Sequence, residues 1–311
     1  MRDGEVAVVE GTLGRRVRRV RGLAGGFSHE TSLVTADGEA VVVRAGGTDP
    51  AIEAAVMGAA RRIGVPVPEV LRVVPPGDGT RAMMLVEFVP GTSLEEALTT
   101  GGTPDAAAVA LGGEVGRVLG RVSRVRLDRP GFFADAELRV RQEVPWSRQL
   151  ADVAAGCMAR VGGGRLDDGT RRRWVRLCAA HAPALARVDG HARLVHADAN
   201  PKNILVTRVD GGWRVAALLD WEFAYAGCPY GDAANMTRFA ADHPAVYVNA
   251  FRAAFAAALP RDLSADGDWP YLGAVLDMFA LSDLVTRPPG NPIADRAADR
   301  IRDLVAGGLP A

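Results

Sequence analysis

Between two apolar runs, Leu194-Val195 and Ile204-Leu205-Val206, the chain inserts His196-Ala197-Asp198-Ala199-Asn200-Pro201-Lys202-Asn203. Asp220 follows Asn203 by seventeen residues, at the end of the apolar run Ala216-Ala217-Leu218-Leu219. Polar groups flanked by buried strands are costly unless they are partnered or used. Asp198, Asn203 and Asp220 have the types and spacing for phosphoryl transfer. In that reaction one carboxylate orients the attacking hydroxyl, while an Asn and a second Asp hold Mg²⁺ against nucleotide phosphates. An amide oxygen and a carboxylate, completed by phosphate oxygens and waters, suit this hard cation.

Positioning such a set needs strands that end at the reacting centre. Residues 15–21 and 31–36 alternate or are β-branched, Asp37-Gly38 signals a two-residue hairpin, and 40–44 reads as a third strand. Pro50 opens a helix over 50–63, and a further strand pair ends in 83–89 before Pro90-Gly91. Beyond that point the apolar period becomes helical over 104–125, 168–188, 243–258 and 270–286. A β island at 193–220 interrupts it, with a hairpin pivoting on Asp210-Gly211-Gly212. The expected architecture is α+β and two-lobed: a small β-rich part over 1–90 and a larger, mainly helical part over 91–311 with an embedded hairpin. A cleft between two such lobes is where small ligands bind.

Composition narrows the partners. The 311 residues contain 48% hydrophobic and 24% charged side chains, the profile of a folded globular protein. The 37 basic and 37 acidic residues cancel, which argues against nucleic acid as a partner. No run reaches the ~18 apolar residues of a membrane span. The amino terminus is charged, so a cytoplasmic location without membrane association is expected. Cys157, Cys178 and Cys228 have neither disulfide-framework nor zinc-cluster spacing. Lys202 is the one lysine, so where a phosphate contact in the first 90 residues needs a lysine-like cation, arginine must supply it. Over residues 189–285, 12 acidic against 7 basic side chains leave a net −5, while residues 1–90 carry 11 of each. An ordinary solvated surface, bound metal and a cationic substrate would all account for that excess.

With these motifs the sequence resembles, over nearly its whole length, the aminoglycoside phosphotransferase family of small-molecule kinases with a protein-kinase-like fold. The resemblance implies Asp198 as the catalytic Asp, with Asn203 and Asp220 of Leu219-Asp220-Trp221-Glu222 as Mg²⁺ ligands. His196 then serves the catalytic loop structurally, and Asp232 of Gly227-Cys228-Pro229-Tyr230-Gly231-Asp232 is the buried carboxylate that braces it. Cys228 stands where the family commonly has Asp, and a reactive thiol there is an alternative. Gly25, Gly26, Phe27 and Ser28, ahead of His29, match the phosphate-covering turn between the first two strands. Arg44 takes the place of the usual phosphate lysine, with Glu53 as its ion-pair partner. The segment Met83–Pro90 resembles the adenine-binding hinge, with Glu87 and Val89 offering backbone groups and Val86 facing the base. ATP or GTP is the implied donor, and monomer and homodimer both remain open.

The acceptor must present a hydroxyl near Asp198. The family's acceptors are often cationic, which makes Glu222 and Tyr225 the nearest candidates. Asp135, Glu137, Glu143, Asp266 and Asp268 are more distant ones, and Trp221, Trp269 and Trp146 could stack on the acceptor or pack in the core. An antibiotic acceptor, an aminoglycoside or a basic cyclic peptide of the tuberactinomycin type, would make the protein a resistance enzyme. A housekeeping kinase for a sugar, a choline-like alcohol or an amino alcohol is the alternative. A regulatory pseudokinase that binds nucleotide without turnover is the non-enzymatic one.

Overall fold

The computed structural model describes residues 1–23, 29–47, 49–77, 80–99, 103–141, 143–264 and 267–309. Helix α1 (Asp3–Leu13) precedes strands β1 (Val17–Gly22), β2 (His29–Ala36) and β3 (Glu39–Gly46); helix α2 (Pro50–Arg62), β4 (Val70–Val74) and β5 (Met83–Glu87) follow. The strands form one antiparallel sheet in the order β1-β2-β3-β5-β4. Asp37 (φ 44°) and Gly38 (φ 89°) both take positive φ, the two-residue turn whose twist suits a hairpin.

Period-two alternation assigns the faces. Val34, Val41, Val43, Ala45, Met83 and Leu85 pack on one side against Val9 of α1. The other side brings Met84 and Val86 into the core that contains Val56, Met57 and Ala60 of α2. Asp49 caps α2 by accepting the Ala51 N–H at 2.9 Å, and Pro50 occupies the first turn, where its missing donor costs nothing. Helix α1 was not anticipated, because its β-branched Val6, Val8 and Val9 mimic a strand. Glu5, fully buried in it, is held by Arg81 at 2.7 and 3.0 Å.

The remaining elements are β6 (Thr92–Ser93), α3 (Leu94–Thr99), α4 (Asp105–Val122), α5 (Trp146–Arg160), α6 (Asp168–His181), β7 (Arg193–Val195), β8 (Ile204–Val209), β9 (Gly212–Leu218), β10 (Tyr225–Gly227), α7 (Tyr230–Thr237), α8 (Ala245–Ala258), α9 (Arg261–Ser264), α10 (Trp269–Leu284) and α11 (Pro292–Gly307). The expected hairpin is β8–β9, extended by β6 to three strands, while β7 pairs with β10. The segment expected as one helix over 168–188 divides at His181 into α6 and a 3-10 helix, Ala182–Arg187, with Pro183 in its first turn. Helices α5, α7 and α11 had not been anticipated. The buried face of α11 joins Ala294, Ala297 and Ala298 to Ile301 and Leu304.

Helices α4 and α8 make the most extensive helix–helix contact. Gly112, Gly116 and Gly120 form an i, i+4 stripe against the α8 backbone, where an added Cβ would lie 2.4 Å from Tyr247 O, 2.4 Å from Phe251 O and 2.6 Å from Ala258 Cβ respectively. No helix among the described residues is long and apolar enough to cross a membrane.

Candidate active site

Strand β7 delivers the chain into a loop braced from below by α7. Asp232 Oδ2 accepts the His196 N–H and Oδ1 the Ala197 N–H, both at 2.9 Å, and Asn235 Nδ2 donates to Ala197 O at 2.8 Å. Asp232 and Asn235, three apart on one helix, thus grip a single stretch of backbone. That grip holds Ala197 at φ 68°, a conformation costing an L-residue about 1–2 kcal/mol. Burial pushes the Asp232 carboxyl up to about 7, against the two N–H groups that favour its ionised form.

Fully buried His196 lies against Trp221, with ring centroids 4.3 Å apart. Its Nδ1 accepts the Asp198 N–H at 3.2 Å, so the ring proton sits on Nε2 and is donated to Leu219 O at 2.9 Å. Burial lowers its pKa to about 4, so the ring is neutral at neutral pH and ties the loop to the end of β9.

Asp198 is presented by this loop. Asn200 Nδ2 donates to its Oδ1 at 2.9 Å and Asn203 Nδ2 to its Oδ2 at 2.7 Å. Burial raises its carboxyl to about 6, a shift opposed by Asn200 and reinforced by the negative charge of Asp220. Asn203 spends its amide N–H groups on Asp198, so its carboxamide oxygen faces away from that carboxylate. Asp220, at φ 65°, accepts from Arg44 Nη2 at 2.6 Å across 176 residues of sequence. Arg44 also pairs with Glu53, whose Oε1 accepts the Trp221 N–H at 3.1 Å. Burial drives the Glu53 carboxyl above its usual range, although Arg44 opposes this. The first sheet, α2, the catalytic loop and the β9 exit therefore meet in one network.

Asn203 and Asp220 supply hard oxygen donors that fit Mg²⁺. A second donor set lies beside them: His29, Asp220 and Glu222 have potential ligand atoms within 4.8 Å of one another. His29 was not singled out from the sequence as a site residue; its Nε2 accepts from Arg44 Nε at 2.8 Å.

Gly25, Gly26, Phe27 and Ser28 lie outside the described residues, as does Asp266. Val86 is buried in β5. The Glu87 N–H is committed to Glu69 O at 2.8 Å, and the Val89 N–H has no backbone partner among the described residues.

A cavity of about 720 Å³ opens beside the loop, lined by Ala197, Trp221, Glu222, Tyr225 and Asn235 among others. Trp221 is 1% exposed, and its indole N–H is used on Leu218 O. Burial raises the Tyr225 pKa. Asp135, Glu137, Glu143 and Asp268 do not line this space. Asp135 pairs with Arg139 and Asp268 with Arg187, while Glu137 and Glu143 are exposed. Trp269 packs on Tyr230 and Phe255. Trp146 contacts Phe132, Tyr225 and Phe279, three residues of the cavity wall. Cys228 is 1% exposed with Sγ 3.3 Å from His191 Nδ1, a setting that closes its thiol off from reagents.

Several wall residues escaped sequence reasoning. Arg238 and Asp277 form a bidentate pair at 2.6–3.0 Å, their side chains 7% and 9% exposed. The available signal was a pair of carboxylates, Asp277 and Asp283, in the otherwise apolar stretch of α10.

The sequence pattern described as the phosphotransferase enzyme family matches residues 19–272, from β1 into α10. The chain belongs to that family. It is a phosphotransferase, as the sequence motifs led us to expect. Solved structures agree on the two-part kinase-like fold. The crystal structure of aminoglycoside phosphotransferase APH(4)-Ia superposes with a TM-score of 0.70 at 20% identity, covering 99% of each chain. A thermostable mutant of that protein, in ternary complex with ADP and hygromycin B, gives 0.70 at 17%, covering 98% of this chain and 99% of that one. A provisionally named fructosamine-3-kinase from Thermobifida fusca gives 0.61 at 19%, covering 97% and 98%. No curated protein matches the sequence.

Proposed function

We propose that this phosphotransferase moves the γ-phosphate of ATP or GTP to a hydroxyl of a small cationic acceptor, with an antibiotic as acceptor and resistance as the outcome. The observation that carries the reading is the single network joining Arg44 and Glu53 to Asp220, beside Asp198 held by Asn203. The nucleotide and hygromycin B bound by a structural neighbour support it. The sugar-amine name of the Thermobifida neighbour favours the second reading, a metabolite kinase.

In this reading residues 1–90 hold the nucleotide and 91–311 carry the catalytic loop and the acceptor. Mg²⁺ held by Asn203 and Asp220 would neutralise charge on the β- and γ-phosphate oxygens. Arg44 contacts phosphate through its planar fork, braced by Glu53. Asp198 orients the acceptor hydroxyl and takes its proton late, as the acceptor O–Pγ bond forms and the bond from Pγ to the bridging oxygen breaks. Neutral His196 and the Asp232–Asn235 grip keep Asp198 in place.

The test is a mass-spectrometric screen with Mg-ATP and Mg-GTP against aminoglycosides, tuberactinomycins, choline and amino sugars. A gain of one phosphoryl group, absent with Asp198→Ala, is expected. Transfer that persists in Asp198→Ala would remove Asp198 from its role. Resistance conferred on a sensitive host separates the antibiotic from the metabolite reading.

A further inference from the structure

The cavity wall is more aromatic than a polycationic acceptor requires. Phe132 and Phe223 line it while remaining 46% and 42% exposed. Leaving such rings about half open forgoes roughly half of the ~1.5–3 kcal/mol that full burial of an exposed ring gives. Phe132 is nevertheless held in place, because Trp146 meets it, Tyr225 and Phe279 edge-on, with centroids 5.8, 5.3 and 6.0 Å away. An open but preformed aromatic surface suits an apolar ring face on the ligand.

Of the carboxylates in the wall, Asp49 caps α2 and Glu222 is buried 3.8 Å from His29, and the other three sort into two groups. Glu53 is committed to Arg44, and Asp277 to Arg238 through three contacts, so neither is free to bind a ligand cation. Asp283 also lines the cavity, and its pairing with Arg287 at 3.2 Å is a surface one, its side chain 57% exposed. Such a pair contributes little and is easily exchanged for a ligand cation. Phe279 and Asp283 are four apart on α10, so ring and carboxylate share one helix face. An ammonium group placed there gains a salt bridge and a neighbouring π surface together.

A further group awaits a donor. Asn235 is 7% exposed and lines the cavity; its Nδ2 is used on Ala197 O, and its Oδ1 finds no donor among the described residues. A hydroxyl or N–H brought by the acceptor would supply one, next to the residue that precedes Asp198.

Resting on the phosphotransferase reading, we propose that the acceptor is an amphiphilic amine of drug size. It carries an aromatic or alicyclic framework against Phe132 and Phe279, one ammonium group at Asp283, and a donor to Asn235. The cavity of about 720 Å³ is within the range of drug-sized pockets.

The test compares three sets of hydroxyl compounds with Mg-ATP and Mg-GTP: monoamines on ring frameworks, their neutral deaminated analogues, and polyamino sugars. The ring-bearing monoamines should be phosphorylated with kcat/KM at least tenfold above both other sets. Phe279→Ala and Asp283→Asn should each raise the monoamine KM about tenfold with little change in kcat, while Asp283→Asn leaves the neutral analogues unaffected. Higher kcat/KM for polyamino sugars would overturn the inference and leave the phosphotransferase reading standing. Nucleotide hydrolysis without transfer to any monoamine would overturn it as well. Failure to bind or hydrolyse either nucleotide would overturn both.

Discussion

Two glycines three residues apart on α4 should respond to the same substitution with opposite signs. At Gly116 an added Cβ would sit 2.4 Å from Phe251 O, 2.8 Å from Phe255 N and 2.9 Å from Ala254 Cβ. Two of these are backbone atoms of α8 that have no rotamer by which to withdraw, so the helices must separate by roughly the ångström that restores normal contact. Overpacking of this kind costs about 1–3 kcal/mol, against the ~1 kcal/mol that alanine gains over glycine in a helix. At Gly113 the nearest neighbour is the mobile end of Arg117, at 3.4 Å, so the propensity gain stands alone. Gly116→Ala should therefore lower stability by about 2 kcal/mol at the upper end of the overpacking range, and Gly113→Ala raise it by about 1. The difference of about 3 kcal/mol corresponds to roughly 6 °C in Tm at ~2 °C per kcal/mol. Urea and thermal denaturation of the two variants and the parent measure it. Equal stability of the two variants, or a Gly116→Ala protein more stable than the parent, would refute the close approach of α4 and α8.

In the proposed mechanism Asp198 acts as an ionised carboxylate, so kcat/KM should be level above about pH 7 and fall tenfold per pH unit below about 6, in a pH–rate profile run at substrate well below KM. Asp232→Asn leaves one of the buried N–H groups of His196 and Ala197 without an acceptor, a loss of about 1–3 kcal/mol in urea unfolding. The Asp232 carboxyl is raised in the fold to about 7, so its contribution to stability is complete below its ordinary value near 3.8 and is lost as pH rises through 7. The penalty of Asp232→Asn should accordingly shrink from pH 5 to pH 8. Arg44→Ala strands buried Glu53 and should cost about 3–5 kcal/mol, whereas the double variant with Glu53→Gln recovers stability while its nucleotide KM stays high.

The catalytic loop was legible because its residues are consecutive and its flanking strands are short and apolar. Arg44 was legible through the family resemblance, which implies a cation on the third strand, where a sequence without lysine in its first 90 residues offers this arginine. The fate of the acidic candidates was less so. Asp268 is neutralised by Arg187, 81 residues away, a pairing no local pattern announces, whereas the Asp135–Arg139 pair lay within one turn and could have been read. The cavity wall was largely hidden: Phe132, Asn235 and Phe279 come from three distant segments, each looking like ordinary core in its own context. The α4 glycines were hidden for a related reason, since a missing side chain has meaning only beside the helix that fills its place.

Lys202 stands on the short 3-10 helix Pro201–Asn203, 58% exposed, with Nζ 3.8 Å from Glu95. Because it is the chain's one lysine, the protein carries a single ε-amine, and that amine sits one residue from Asn203. Apart from the α-amine of Met1, which pairs with Glu30, an amine-directed fluorophore would thus find one address, beside the catalytic loop, and report occupancy of the cleft through its emission. Nucleotide probes that acylate a lysine beside the phosphates would find none on β3, and Lys202 would be the one lysine left for them to mark.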